Sequence, residues 1–316
     1  MFLQNILIAA EQVAILYIMA AIGVICDKTG IYTEKTGKKC TDLLFYVITP
    51  AKILESFFTL EYSTETVKGL FIAVGCGLMM HACAALAVSP LFNKSGSDQA
   101  AVYKFASVYG NCGYMGLPLV DAVVGKEGVF YCSAVIISFQ IFNFTHGVWI
   151  MNRGKTEGKA KIDFKKLILN PGVLPVFVGL PVFMLSVNLP KLVMTPVSSI
   201  ASMNSPLAML IFGTYIANTD FKSMLKQWRI PCVGVFKLLA MPLAMMTAVK
   251  LLGLGGALAE TLVITAATPP ANNTIMFSAK YDRDTGIASQ TVAVVSLFSI
   301  ITLPLMIAIA KLWIKF

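Results

Sequence analysis

The sequence predicts an all-α, polytopic membrane protein whose ten transmembrane helices form two inverted five-helix repeats. First, 57% of its 316 residues are hydrophobic and 13% are charged, with a mean hydropathy of +0.77, whereas soluble domains carry about 25% charged residues. Second, the apolar residues occur in runs of about twenty, the length that crosses a bilayer as a helix. Third, the two halves match each other when one is shifted along the other. A soluble enzyme, a disulfide scaffold and a disordered regulator are therefore excluded.

Ten apolar runs are long enough to be spans. The first run is not a signal peptide, because it contains Glu11 and the first basic residue is Lys28. The predicted spans cover residues 2–26, 40–60, 67–92, 98–123, 127–151, 167–189, 192–217, 230–253, 256–281 and 286–314.

The basic residues predict the orientation. Of the 25 Lys and Arg residues, 17 lie on the side of the first loop and 6 on the side of both termini, while Lys52 and Lys237 fall inside spans. Cytoplasmic loops carry the excess of positive charge. We therefore expect a plasma-membrane protein with both termini outside and the basic segment 152–166 in the cytoplasm. The net charge of +9 reports this asymmetry and does not indicate a nucleic-acid partner.

Glycines and prolines of the two halves recur at a nearly constant spacing. Five spans in each half is an odd number, so the second copy enters the membrane upside down, as in alternating-access transporters. The predicted units are a first repeat (1–151), a linker (152–166) and a second repeat (167–316). The matching pairs are Gly23 with Gly179, Pro50 with Pro206, and Gly128 with Gly286, separated by 156, 156 and 158 residues.

Two segments break the helical pattern at corresponding places in the fourth and ninth spans. They read GNCGYMGLP (110–118) and TPPANNT (268–274). Proline removes backbone donors and ends regular helix, and the free N–H groups of half-helices suit a carboxylate. Paired interruptions predict a midplane binding site, although two plain kinks are the alternative. The candidate substrate contacts here are Asn111, Gly113, Pro118, Pro269, Pro270, Asn272 and Asn273.

At these residues the chain resembles the auxin efflux carrier family, which includes plant PIN-FORMED carriers and bacterial malate or malonate permeases. The matching motifs are YGNCGYMGLPL (109–119), FSAKYDRD (277–284) and SFQIFNFT (138–145), the last of which contains the further candidate Gln140. The resemblance implies the fold of bile-acid sodium symporters, with helices 4 and 9 crossing at the substrate. Helices 1, 2, 6 and 7 would form a dimeric scaffold, and helices 3–5 and 8–10 an elevator. The central loop is shorter than in the plant carriers, so their hormone specificity does not carry over.

Ionisable residues inside spans are costly and often functional. Lys52 and Glu55 are three residues apart and share a helix face, so Lys52 either pairs with Glu55 or holds a substrate carboxylate. His81 and Lys237 are related by the repeat spacing of 156 residues. These two residues, with Glu55 and Glu11, are the candidates for supporting the crossover or coupling transport to protons.

The predicted function is secondary transport of small organic anions by elevator-type alternating access. The sequence contains no ATP-binding GxxxxGK[ST] motif and no hydrolase or metal motif, so we expect neither an enzyme nor a cofactor. The coupling ion, H⁺ or Na⁺, stays open. The alternatives are a sodium-coupled bile-acid-type symporter and a membrane receptor that binds its ligand without moving it. The expected partners are the anion, the bilayer and a second copy of the chain.

Overall fold

The computed structural model describes residues 2–93, 97–153, 168–218 and 227–313. Within these ranges the regular structure is helical, apart from one antiparallel bridge between Gly110 and Pro270. The predicted linker 152–166 lies outside the described residues except for its first two positions. The all-α prediction is confirmed.

The described helices fall into ten segments, each of which overlaps one of the ten predicted spans. We number them α1 to α10, and α4 and α9 are each divided by a break. Their bounds are Phe2–Lys28 (α1), 34–59 (α2), Thr64–Leu91 (α3), Ser97–Val108 (α4a), Cys112–Val123 (α4b), Lys126–Asn152 (α5), Leu174–Met184 (α6), Lys191–Ala217 (α7), Arg229–Leu251 (α8), Gly256–Ala267 (α9a), Asn273–Lys280 (α9b) and Thr285–Trp313 (α10).

Five of these helices are long and apolar enough to cross a membrane by themselves: α3, α5, α7, α8 and α10. Three shorter apolar helices, α4b, α6 and α9a, have between 10 and 17 residues. Several helix starts have side-chain caps, which satisfy amides that the helix leaves free. For example, Ser63 Oγ accepts from Thr66 N at 3.0 Å at the start of α3. The chain is a polytopic helical membrane protein.

The helices pack as two bundles. In the first bundle α1 packs along α7, and α2 packs against α6 and α7. In the second bundle α3 packs on α5, α9a lies between α5 and α8, and α10 contacts α4a, α8 and both halves of α9. The bundles meet mainly where α1 contacts α10 and where α2 contacts α5. This grouping separates the same helices that the family resemblance assigns to a scaffold and a moving unit.

Close backbone approach joins α1 to α7. A Cβ atom on Gly23 would overlap the backbone of Leu210, and one on Gly213 would overlap the carbonyl of Ala20. Small residues let membrane helices approach closely enough for extensive van der Waals contact. The two glycines therefore set the separation of the two longest helices in the first bundle.

We expect Gly213→Leu to force α1 and α7 apart and to destabilise the protein by at least the about 1–3 kcal/mol typical of overpacking. The measurement is thermal unfolding in detergent. Gly75→Leu is the matched control, because Gly75 also lies inside a helix but has open space around its Cβ position. Equal melting temperatures for the two variants would contradict the close approach.

Candidate functional site

The two helix breaks predicted from sequence meet in the second bundle. Asn111 N donates to the carbonyl of Pro269 at 2.7 Å, and Ala271 N donates to the carbonyl of Tyr109 at 2.9 Å. These bonds form the isolated antiparallel bridge between the breaks. Backbone groups that neither helix can satisfy are thereby satisfied across the crossing, as a membrane interior requires. The helices α4 and α9 therefore cross at their interruptions.

Four helix ends converge at this crossing. Helices α4b and α9b begin there, at Cys112 and Asn273, while α4a and α9a end there, at Val108 and Ala267. Helix N-termini carry partial positive charge and C-termini partial negative charge. Asn111 caps α4b, because its Oδ1 accepts from Tyr114 N at 3.2 Å. Positive and negative dipole ends therefore lie within one small region.

A small cavity adjoins the positive ends. It has a volume of about 30 Å³, room for roughly one or two water molecules. Four predicted residues line it: Asn111, Gly113, Gln140 and Asn273. Its remaining walls include Phe45 and Thr49 of α2, Tyr114 of α4b, Ile136 and Phe139 of α5, Gly172 and Ala271.

A larger vestibule of about 520 Å³ lies between the two bundles. Its walls come from α2 and α7 on one side and from α9b and α10 on the other, with Asn272 among them. It lies on the side of the first loop, near Asp42 and Asn218. Tyr114 lines both the vestibule and the small cavity, and its ring lies 5.9 Å from that of Phe45. Tyr114 therefore lies at the boundary between the vestibule and the cavity.

Lys237 lies behind the crossing, completely buried in a π-helical turn of α8. Among the described residues its Nζ has no hydrogen-bond partner. A Cβ built on Gly110 would lie 2.8 Å from that nitrogen and 2.6 Å from Thr268 Oγ1. Because Thr268 is the C-cap of α9a, the ammonium group is close to the negative helix ends. Because Gly110 has no side chain, there is room beside it for the Lys237 ammonium group.

His81 approaches the same break from α3, in the first repeat, whereas Lys237 belongs to the second repeat. Its Nδ1 donates to the carbonyl of Gly77 at 2.7 Å, and its ring stacks on Phe142 with a centroid distance of 5.6 Å. The ring centroid is 6.0 Å from that of Tyr109, the residue before Gly110. His81 and Lys237, paired by the repeat spacing, thus approach consecutive residues of one break.

Lys52 is placed away from the cavity lining. Its Nζ contacts Glu55 Oε2 at 3.2 Å and Asp121 Oδ2 at 2.9 Å. The sequence left two roles open for Lys52, pairing with Glu55 or holding a substrate carboxylate, and the structure shows the pairing with Glu55. Asp121 of α4b is a further partner. Glu11 is exposed on α1, and Pro118 is buried in the first turns of α4b without lining the cavity.

Thr49 is a cavity residue that the motif analysis missed. Asn204 Nδ2 of α7 donates to Thr49 Oγ1 at 3.1 Å, and both side chains are buried. A signal for it was present, because Thr49 precedes Pro50 and Asn204 lies two residues before Pro206, the prolines that the repeat spacing matches. Phe45 and Tyr114 carried no comparable signal.

Comparison with known proteins identifies the family. A family model described as a membrane transport protein matches residues 8–307. The chain belongs to this family of membrane transport proteins. An uncharacterized transporter of Methanocaldococcus jannaschii is 21% identical over 95% of this chain and 98% of its own. A candidate malonate transporter of Rhizobium meliloti is 26% identical over 65% of each chain.

Membership in the family confirms the resemblance to auxin efflux carriers that the three motifs indicated. The family is one of transporters, so the chain is a membrane transporter and not an enzyme. In secondary transporters built from inverted repeats, discontinuous helices typically form the substrate site near mid-membrane.

The crossing provides a matched pair of glycine substitutions. We expect Gly110→Ala to lower the free energy of unfolding by about 1–3 kcal/mol, as overpacking does, because its Cβ would meet Thr268 Oγ1 and Lys237 Nζ below 3 Å. Gly113→Ala, three residues away with open space at its Cβ position, is expected to leave stability nearly unchanged. Thermal melting of both purified variants measures the difference, and equal losses would rule out this packing.

Proposed function

We propose that this transporter is a secondary carrier of small organic anions, chiefly carboxylates, and that it binds them at the α4–α9 crossing. The observation that carries the proposal is the convergence of two helix N-termini on one cavity. Behind them lies a buried lysine whose Nζ has no hydrogen-bond partner among the described residues. Helix N-termini bind anions because their N–H groups are free and their dipole ends are positive.

The lining residues match the chemistry of a carboxylate. Asn111, Gln140 and Asn273 supply amide donors, and Phe45, Ile136 and Phe139 supply an apolar wall that suits a short carbon chain. The Rhizobium meliloti relative is named for malonate, which has two carboxylates on one carbon. That name supports a small mono- or dicarboxylate as the substrate class.

Lys237 supports the proposal through its charge. Holding an ammonium group in a low-dielectric interior costs several kcal/mol unless opposite charge compensates it. Here the C-terminal ends of α4a and α9a offer only partial negative charge. A substrate anion at the adjacent N-termini would complete the compensation and leave the loaded crossing close to neutral. His81, the other candidate for support or proton coupling, has its ring 6.0 Å from that of Tyr109, the residue before Gly110.

The two sides of the crossing differ in a way that favours alternating access. On the first-loop side the vestibule separates the bundles. On the other side Phe57, Phe130 and Phe183 pack together across α2, α5 and α6, with ring centroids 4.6 and 4.9 Å apart. Movement of α3–α5 and α8–α10 against α1, α2, α6 and α7 would open the sealed side and close the vestibule. The same movement would widen the cavity enough to admit an anion.

The remaining parts of the proposal come from charge bias and family resemblance. The termini face outward across the plasma membrane, the vestibule opens to the cytoplasm, and the first bundle forms a homodimeric scaffold. Uptake that requires sodium would instead favour the bile-acid-type symporter. Ligand binding without flux would favour a receptor.

We expect Asn111→Ala to reduce uptake of labelled malonate into proteoliposomes at least tenfold, because it removes both an amide contact and the cap of α4b. The matched control is Asn188→Ala, which changes an exposed asparagine in the α6–α7 connection. Gel filtration verifies that both variants remain folded. The assay is run with and without a sodium gradient and at two pH values, which separates the coupling alternatives. Uptake by Asn111→Ala at the control rate would falsify the site assignment.

The Lys52 cluster gives a second test, since it joins α2 of one bundle to α4b of the other. Lys52→Met leaves Glu55 and Asp121 without their shared cation, and we expect it to cost about 3–5 kcal/mol, as breaking a buried pair does. Asp121→Asn keeps the Lys52–Glu55 pair and is expected to cost less.

The control for this test is Lys68→Met. It breaks the exposed pair between Lys68 and Glu65, which has the same spacing of three residues and exposed fractions of 62% and 85%. Exposed pairs contribute about 0–1 kcal/mol. Similar losses of melting temperature for Lys52→Met and Lys68→Met would show that the cluster does not hold the bundles together.

A further inference from the structure

A second cavity lies inside the second bundle and shares no lining residue with the small cavity or the vestibule. It is formed by the end of α3, by α4a and by the end of α5, and it has a volume of about 380 Å³. This size is within the range of small-molecule sites, about 300–1,000 Å³. We call it the α3–α5 cavity. No lining residue of it takes part in the proposed transport site.

Three groups that can carry positive charge line the α3–α5 cavity: Lys104, Arg153 and His146. No Asp or Glu is among its lining residues. Lys104 Nζ donates to Asn93 Oδ1 at 2.7 Å, and the Arg153 guanidinium lies 5.2 Å from the centre of the Trp149 ring. Lys104 and Arg153 border the same cavity, so an anion held there would interact favourably with both cations.

The charged groups of the neighbouring elements do not neutralise these cations. Asp98 of α4a forms an ion pair with Arg283, whose guanidinium also donates to the carbonyls of Met151 and Arg153 at 2.8 and 2.7 Å. That network anchors the end of α5 from the α9–α10 connection. Among the described residues, neither Lys104 nor Arg153 forms an ion pair with a carboxylate.

The surroundings of the cavity are those of a membrane interface. Leu86 and Leu91 of α3 are 76% and 58% exposed, and Trp149 of α5 is 54% exposed. Exposed aliphatic residues on a membrane helix face lipid, and Trp is enriched at the level of the headgroups. Ala85, Val88 and Ile150 line the apolar part of the cavity. The cavity thus presents charge at the membrane surface and an apolar wall beside it.

We propose that the α3–α5 cavity binds one anionic phospholipid. The phosphate lies between Lys104 and Arg153, and the beginning of an acyl chain lies along Val88 and Ile150. Basic pockets between membrane helices bind anionic headgroups when they occur on the side that carries the positive loops, and this cavity is on that side. A free phosphate ion has the same charged group as the lipid headgroup, but it makes no apolar contact with the cavity wall or with the exposed leucines.

The bound lipid would lie directly behind the crossing. The floor of the cavity includes His146 and Val108, and His146 Nδ1 is 2.9 Å from the Tyr109 hydroxyl. That hydroxyl donates to the carbonyl of Phe142 at 2.9 Å, so the histidine nitrogen is the donor toward it. Tyr109 is also the residue whose carbonyl accepts from Ala271 at the crossing.

The test is a thermal-shift titration of the delipidated, detergent-solubilised protein. Three probes are compared: dioctanoyl-phosphatidylglycerol, dioctanoyl-phosphatidylcholine and inorganic phosphate. Because a ligand that binds only the folded state raises the melting temperature, we expect phosphatidylglycerol to raise it and the other two probes to have little effect. Native mass spectrometry is expected to find one phosphatidylglycerol retained per chain.

The test variant is Lys104→Gln with Arg153→Gln, which should bind phosphatidylglycerol at least tenfold more weakly. The matched control is Lys280→Gln with Arg229→Gln. It removes one lysine and one arginine charge on the same membrane side, and both of these cations lie over aromatic rings, at 5.3 and 5.1 Å, as Arg153 does. Ser89→Trp is a second test variant, for use if the charge variant does not fold. It fills the cavity from an exposed position while keeping both charges, and it should also weaken binding.

Four outcomes would overturn the proposal. The first is that phosphatidylglycerol does not raise the melting temperature of the wild type. The second is that inorganic phosphate stabilises the wild type equally, which would identify a free-anion site. The other two concern the variants. The control variant loses as much binding as the test variant, which indicates general surface charge. Ser89→Trp binds with wild-type affinity. None of these outcomes depends on whether the chain carries carboxylates, because no transport is measured.

Discussion

The structure depends on two hydrogen bonds between broken helices. The sequences around Gly110 and Pro270 cannot continue a helix, and a membrane interior offers no water to the backbone groups that they leave free. The bonds from Asn111 to Pro269 and from Ala271 to Tyr109 let each break supply what the other lacks. This pairing forces α4 and α9 to cross, and the crossing brings together four helix ends, the small cavity and the buried lysine.

The buried charges of the two lysines inside the membrane are compensated to different extents. Lys52 is shared by two carboxylates, one on its own helix and one on α4b, so its charge is neutralised within the protein and ties the two bundles. Lys237 Nζ has no hydrogen-bond partner among the described residues and lies near Gly110 and the end of α9a at Thr268. A charge that the fold has already compensated is structural, whereas the uncompensated one beside the crossing is the charge that we propose a substrate anion neutralises. This contrast separates residues that were equivalent on the basis of hydropathy alone.

Much of the site could be predicted because local chemistry marks it. Gly and Pro clusters in apolar runs located both breaks, and the repeat spacing related His81 to Lys237, which do approach consecutive residues of one break. Asn111, Gly113, Gln140 and Asn273 line the cavity. Thr49, Phe45 and Tyr114 could not be found in this way, since a threonine or an aromatic residue in an apolar helix has the same local pattern whether it faces lipid, a neighbouring helix or a cavity.

Local sequence was sufficient for the properties that follow from the bilayer: an all-helical membrane chain, the places where helices must break, and the bias of positive charge. The partners of each charge, the sealed and open sides, and the cavity between Lys104 and Arg153 depend on contacts between helices far apart in the chain. Hydropathy reports only that a residue lies in the membrane. Whether it faces lipid, another helix or a ligand follows from packing. Hydropathy does not distinguish these environments, because lipid tails and the interior of a helix bundle are equally apolar.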